Sequence, residues 1–166
     1  MFKIKLLILL LTNLTLLSCS VSDINKNTNQ FSLAYVGGEV DGLIFKNLLE
    51  GYMEGLNLYN KNSNYEIKAE INHNTNLYIT NIDNTSDREN ITTNLSVIIF
   101  NKKDKCQIYQ DQLSVSQFYI FASSTNFLSN QSAVSTIKKN NSEALVKELV
   151  RKLYTIDIMC NEKKSN

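Results

Sequence analysis

The sequence predicts an α+β domain in two layers, with a mixed four-stranded sheet and two helices on one of its faces. The chain has 166 residues, 43% of them hydrophobic, which suits one ordinary domain. Apolar residues repeat at every second position in four segments and at spacings of three and four in two others, in the order β-α-β-β-β-α. A strand–helix–strand unit places its strands parallel, and amphipathic helices on one face complete two layers. The other sheet face is then polar or covered by a partner.

Four segments have the strand pattern, and turn-like polar residues separate them. The predicted strands are residues 31–35, 65–73, 91–100 and 106–116. The last two are expected to form a hairpin with its tip near residues 102–105. Residues 75–87 are interpreted as a strand extension followed by a mobile loop, and residues 123–132 as a Ser/Asn-rich loop.

The first predicted helix covers residues 42–60, with Asp41 as its N-cap. Its predicted apolar stripe consists of Leu43, Ile44, Leu48, Leu49, Tyr52, Met53, Leu56 and Tyr59. Gly51 and Gly55 lie inside this helix. Their spacing fits either close helix–helix contact, which matters mainly in membranes, or a close approach of the helix to the sheet.

The second predicted helix covers residues 133–156, and Asn140 and Asn141 are a weak point in its pattern. Its predicted stripe consists of Ala133, Ile137, Leu145, Leu149, Leu153 and Ile156. Glu148 and Lys152 are spaced to pair on its surface.

Composition and motifs argue against several classes of function. The formal net charge of +1 lacks the basic excess of a nucleic-acid binder. One His and three Cys do not supply the common zinc sites, so we expect no metal and no cofactor. Common catalytic motifs are absent and the loop carboxylates are scattered, so we expect neither catalytic residues nor an enzyme. His73 is interpreted as a residue at the rim of the core.

The N-terminus has the pattern of a lipoprotein signal peptide. Lys3 and Lys5 precede an apolar stretch, residues 6–17, that is too short and too polar at its middle to span a bilayer. The following Ser18-Cys19 resembles the end of the bacterial lipobox. This resemblance implies cleavage after residue 18 and diacylglycerol on the Cys19 thiol, which with further acylation makes a lasting anchor. By resemblance to enterobacterial sorting rules, Ser20 directs the protein to the outer membrane, facing the periplasm.

These patterns divide the chain into four parts. Residues 1–18 are the predicted signal peptide, 19–30 a lipidated tether, 31–160 the folded domain, and 161–166 a disordered tail. Removing residues 1–18 also removes Lys3 and Lys5 and leaves a mature chain with one more acidic than basic residue.

Two further groups of residues leave alternatives open. Cys106 and Cys160 either form a disulfide, as an oxidising compartment allows, or remain two separate thiols. Lys102, Lys103 and Lys105 at the hairpin tip form either a solvated turn or a site for lipid phosphates or an acidic partner.

The lipobox, the element order and the stretch from Arg88 to Leu153 resemble the LptE-type lipopolysaccharide-assembly lipoproteins, particularly the alphaproteobacterial ones. That stretch holds a β-hairpin, a Ser-rich aromatic segment and a closing helix that contains Ala133 and Ala144. The resemblance implies a lipoprotein that helps to assemble, and plugs, the outer-membrane β-barrel that inserts lipopolysaccharide into the outer leaflet.

The partners implied are the barrel protein, lipopolysaccharide and, through the anchor, the membrane, with no nucleic acid. Arg88, Lys102, Lys103 and Lys105 are the implied contacts for lipid A phosphates. The alternative is a periplasm-facing accessory or binding lipoprotein of another envelope transport complex.

Overall fold

A computed structural model describes residues 29–79, 87–121 and 127–160. It confirms the predicted fold class and element order. The elements are β1 (Phe31–Gly37), α1 (Glu39–Gly55), β2 (Tyr65–Ile79), β3 (Asp87–Asn101), β4 (Cys106–Phe121) and α2 (Phe127–Leu153). Residues 1–28, 80–86, 122–126 and 161–166 lie outside the described part, and with them Cys19, the predicted tail and much of the two predicted loops.

The four strands form one sheet in the order β1-β2-β3-β4. The β1–β2 pair is parallel, and the β2–β3 and β3–β4 pairs are antiparallel, as predicted. Because β2, β3 and β4 have 15 or 16 residues and β1 has only 7, three long strands continue well past the short one. The sheet therefore has two distinct ends, one beside Phe31 and the other beyond Gly37.

The core lies between one sheet face and both helices. In register across β2 and β3, Ile67 faces Ile99 and Ile71 faces Leu95, and all four side chains are buried. From the helices, the buried apolar side chains are Phe45, Leu49, Met53, Leu145, Val146, Leu149, Val150 and Leu153. Side chains alternate between the two faces of a strand, so one face is buried and the other is left to solvent.

A register shift in the β3–β4 pair changes which residues of β4 face the core. Ile99 pairs with Tyr109, whereas Phe100 pairs with Gln107, so Ile108 is the extra residue of a β-bulge. Up to the bulge, the even-numbered residues Cys106 and Ile108 face the core. After the bulge, the odd-numbered residues of β4 face the core. The bulge thus turns Cys106 toward the helical layer.

The orientation of α1 differs from the predicted one. The helix begins at Glu39 after Gly38, which has a φ of 115°, and no side chain caps it, so the Asp41 N-cap is wrong. Leu43 and Ile44 are 58% and 46% exposed rather than part of the buried stripe. The buried side of the helix carries Phe45, Leu49 and Met53. The sequence pattern did not identify this side, because apolar residues occupy neighbouring positions over two turns of the helix.

A close approach of helix to strand occurs in α1, but at Gly42. A Cβ at Gly42 would lie 2.6 Å from the Gly37 carbonyl oxygen, closer than atoms pack. The predicted roles of Gly51 and Gly55 are wrong, because both are exposed and a Cβ at either would meet nothing within 4 Å. The contact at Gly42 sets the rotation of α1 against β1 and so selects its buried side.

Two further predictions are corrected by the structure. The pairing register shifts between Leu33 and Val36, so Tyr35 leaves the predicted alternation and is 71% exposed. The second helix begins at Phe127, so residues 127–132 are helical rather than loop, and it ends at Leu153.

We predict that Leu49→Ala lowers the free energy of unfolding by about 3–5 kcal/mol, because it leaves a cavity beneath a fully buried side chain. Leu43→Ala removes the same atoms from an exposed position of the same helix and should cost less than about 1 kcal/mol. Urea denaturation of both variants measures the difference. Equal losses would contradict the orientation of α1 described above.

Candidate functional site

The sheet face away from the helices has a centre of uncharged polar side chains. We call it the outer face. Its central residues lie side by side on β2, β3 and β4 and are exposed or half-buried; they are Asn72, Asn74, Thr92, Asn94, Ser96, Gln112, Ser114 and Ser116. None of these side chains is ionisable. The centre of the outer face is thus a surface of uncharged hydrogen-bonding groups, and the charged residues of the same face, Glu66, Lys68, Glu70 and Arg88, lie on either side of it.

Half of these eight residues pair with one another. Thr92 and Ser116 share a hydroxyl hydrogen bond of 2.7 Å, and Asn94 donates to the Asn72 side-chain oxygen at 3.3 Å. Amide and hydroxyl groups each offer donors and acceptors, so a partner surface can pair with the centre of this face without neutralising any charge there. Such a surface suits a polar protein wall better than an ionic ligand.

The end of the sheet beyond Gly37 carries exposed apolar side chains next to Arg88. We call it the distal end. Leu77, Phe118 and Ile120 are 55%, 61% and 69% exposed there. Arg88 pairs in register with Ile120 on the outer face and is itself exposed. A guanidinium beside apolar side chains has the chemical character to bind an anionic amphiphile.

The predicted lysines lie at the other end of the sheet. Lys102, Lys103 and Lys105 are exposed in the β3–β4 turn, and the Lys102 Nζ donates to the Ser32 hydroxyl at 3.4 Å. Arg88 and Lys102 are separated by nearly the whole length of β3, about 45 Å at the usual rise per residue. The structure therefore does not bring the predicted phosphate-binding residues together.

Cys106 and Cys160 form a disulfide, with their Cα atoms 5.9 Å apart. The bond fastens the segment after α2 to the start of β4, where Ile158 and Cys160 pack against the core. It closes a loop that spans most of the second half of the domain. Cys19, the predicted lipidation site, lies outside the described residues.

A second contact holds the end of α2 to β4. The Lys152 Nζ lies 2.8 Å from an Asp111 carboxylate oxygen, which also accepts a hydrogen bond of 2.7 Å from the Tyr109 hydroxyl. The hydrogen bond from Lys152 is the main reason that the pKa of Asp111 is lowered. Glu148 pairs with Arg151 instead, so the predicted Glu148–Lys152 pair is wrong.

A buried polar network, which the sequence analysis missed, connects β2, β3 and α2. His73 Nδ1 lies 2.7 Å from the Thr93 hydroxyl, and the Asn141 amide donates to that hydroxyl at 3.0 Å and to the Ile91 carbonyl at 3.1 Å. Thr93 and Asn141 are fully buried. Asn141, a predicted weak point of the helix, therefore fastens α2 to the sheet.

The network ends in charged groups at the surface. His73 Nε2 lies 3.7 Å from an Asp41 carboxylate oxygen, which Lys138 approaches at 3.6 Å. The Thr93 hydroxyl has one proton and two acceptor lone pairs, so it can accept from Asn141 and still pair with His73 Nδ1 in either imidazole tautomer. Asp41, His73 and Lys138 line a cleft of about 460 Å³ between the two helices.

His73 is a core-rim residue, as predicted, and its side chain is only 2% exposed. Burial lowers the pKa of His73, and Lys138 acts in the same direction, while Asp41 opposes them. Its place on the core side of β2 was readable from its alternation with Ile71. Its partners on β3 and α2 were not, because they lie far away in the sequence.

The described residues hold neither a cluster of metal ligands nor a helix that could span a bilayer. Across residues 29–79, 87–121 and 127–160, no group of three or more His, Cys, Asp and Glu residues is arranged to hold a metal ion. Neither α1 nor α2 is both long and apolar enough to cross a bilayer.

The chain shares its fold with bacterial lipoproteins of known structure. Rare lipoprotein B of Shewanella oneidensis matches with a TM-score of 0.61 at 8% identity, over 76% of this chain and 95% of that one. A minor lipoprotein of Acinetobacter baumannii gives 0.58 at 14% identity, over 77% and 92% of the two chains. A hypothetical protein of Chlamydia trachomatis gives 0.53 at 14% identity, over 78% and 97%. No protein-family model and no curated protein matches the chain significantly.

We predict that the stability of the domain falls between pH 7 and pH 5.5 partly through His73. The pKa of His73 is lowered in the folded state, so the unfolded chain binds the proton first and the free energy of unfolding decreases as the pH falls. His73→Gln should flatten this dependence. Urea denaturation across the pH range measures it, and an unchanged slope in the variant would contradict the assignment.

We predict that the non-reduced protein shows no alkylation at Cys106 or Cys160 in mass spectrometry. Replacing both with Ser should lower the free energy of unfolding by about 4 kcal/mol on the chain-entropy model, because their sequence separation of 54 makes a long loop. The free energy of unfolding of the reduced wild-type protein is the matched measurement. Free thiols in the unreduced protein would rule out the bond.

Proposed function

We propose that this chain is an outer-membrane lipoprotein, anchored through Cys19 and facing the periplasm, that assists assembly of a β-barrel lipopolysaccharide translocon and plugs its lumen. The role involves no catalysis. The domain would act as a shaped insert that supports the barrel while lipopolysaccharide passes to the outer leaflet. The resemblance to LptE-type proteins suggests this role, and the shared fold with bacterial lipoproteins agrees with it.

The single observation that carries the proposal is the outer face. A sheet that one helical layer covers on only one side must leave the other to solvent or to a partner. The lumen of an outer-membrane barrel is lined by polar side chains. Amide and hydroxyl groups such as Asn72, Asn94 and Ser114 can hydrogen-bond to such a wall at many positions.

For contact with lipopolysaccharide, Arg88 is favoured over the hairpin lysines. Arginine binds phosphate in a bidentate manner, and the exposed Phe118 and Ile120 beside Arg88 offer apolar surface to acyl chains. The lysines at the hairpin tip lie about 45 Å away along β3. They would not reach the same headgroup.

Identification of the proteins that co-purify with this chain tests the proposed function. The full-length, tagged protein is extracted from its native membranes in mild detergent, and the proteins that accompany it are identified and quantified by mass spectrometry. One large outer-membrane barrel in near one-to-one amount supports the proposal. Recovery alone, or with inner-membrane transporter subunits, overturns it in favour of an accessory lipoprotein of another transport complex.

We predict that Ser96→Lys combined with Ser114→Lys lowers recovery of the barrel at least about fivefold, because charged side chains on the outer face would be desolvated against a close-fitting wall. Asn140→Lys combined with Thr136→Lys adds the same charge on exposed positions of α2 and is the control. Urea denaturation checks that all variants fold. Equal recovery of the two charged variants would contradict the use of the outer face.

A further inference from the structure

The folded domain begins at a fixed point at one end of the sheet. The Phe31 amide donates to the Leu58 carbonyl at 2.8 Å, and the Asn60 amide donates to the Phe31 carbonyl at 2.9 Å. The Asn60 side chain also donates to the Gln30 side-chain oxygen at 2.9 Å. Whatever precedes residue 29 therefore joins the domain at this end, which we call the tether end.

The tether end also holds the β3–β4 turn. The Lys102 amide donates to the Asn64 carbonyl at 2.8 Å, and the Lys102 Nζ reaches Ser32 on β1. The disulfide brings Cys160 to the same place, beside Cys106 at the start of β4. The first residue of the domain, the 60–64 turn and the hairpin tip thus form one surface.

This surface is basic. Lys61, Lys102, Lys103 and Lys105 are exposed on it. Two carboxylates offset part of the charge: Asp104 is hydrogen-bonded to the Asn101 amide, and Glu66 lies 3.8 Å from both Lys102 and Lys68. At the two turns the four lysines still outnumber these carboxylates, while Glu50 and Glu54 of α1 lie near Tyr59 at the same end.

The length of the tether keeps this surface near the membrane. Ten residues separate Cys19 from Gln30, and an extended chain covers at most about 3.6 Å per residue. With the proposed anchor at Cys19, the tether end can lie no further than about 40 Å from the lipid surface.

We propose that the tether end docks on the anionic phospholipid headgroups of the leaflet that holds the lipid anchor, through Lys61, Lys102, Lys103 and Lys105. Lysines near an anionic bilayer are attracted within a Debye length. Docking holds the tether end at the headgroup layer and leaves the outer face and the distal end, with Arg88, available to the proposed barrel. The inference rests on the proposed anchoring at Cys19.

The test uses the full-length mature protein, reconstituted through its own anchor in phosphatidylcholine nanodiscs with and without phosphatidylglycerol. Intact mass first verifies the lipid on the chain. Lysines are then acetylated with a water-soluble reagent, and the rate at each lysine is read by mass spectrometry. We expect Lys61 and Lys102 to react at least about threefold more slowly in anionic discs at low salt, with Lys139 on α2 unchanged.

Two double variants that remove the same charge show which residues cause the slower acetylation in anionic discs. Lys103→Gln with Lys105→Gln should abolish the protection of Lys61, as should about 0.5 M salt, which shortens the Debye length to a few ångströms. Lys147→Gln with Arg151→Gln removes equal charge from exposed positions of α2 and should retain it. Equal rates in the two discs, or protection of Lys139 instead, would overturn the docking. A mature chain without lipid would overturn the anchoring, and this appears in the mass before any labelling.

Discussion

Burial of only one face of the sheet is the constraint on which this molecule depends. Alternation along β2, β3 and β4 sends most apolar side chains to one side and gives the other side a centre of amides and hydroxyls. Both helices must then lie on the apolar side, since a one-residue slip would expose the whole core. The outer face, the proposed docking surface for a barrel wall, is the direct consequence. The same pattern that builds the core thus leaves the proposed interface uncovered.

The helical layer is attached to this sheet by apolar packing, by buried hydrogen bonds, by the Lys152–Asp111 ion pair and by a disulfide. Apolar packing of Leu49 and Leu149 supplies most of the stabilisation, as expected for fully buried side chains. The amide of Asn141 binds the sheet near the distal half, and the Cys106–Cys160 disulfide closes the opposite end. Buried polar contacts add little net stability but are costly to break, so they favour one alignment of α2 over its alternatives.

The two ends of the sheet have different chemistry, and this difference gives the proposals their geometry. Lysines surround the point where the tether joins, whereas Arg88 and exposed apolar side chains lie at the distal end. Long strands separate the two groups by more than any single headgroup can span. A contact with phospholipid at one end and with lipopolysaccharide at the other is compatible with this separation, while one shared phosphate site is not.

The sequence by itself determined the element order, the parallel and antiparallel pairings and the polar character of one sheet face, because these follow from local periodicity and chain connectivity. The sequence also indicates the β4 bulge, because the core-facing apolar residues change from even numbers, Cys106 and Ile108, to odd numbers, Leu113 and Val115. Only the tertiary structure decided which side of α1 faces the sheet, because Gly42 meets the Gly37 carbonyl there. Only the tertiary structure brings His73, Thr93 and Asn141 into contact, and only the tertiary structure places Arg88 far from the lysines. Contacts between distant segments depend on packing in three dimensions, which periodicity does not specify.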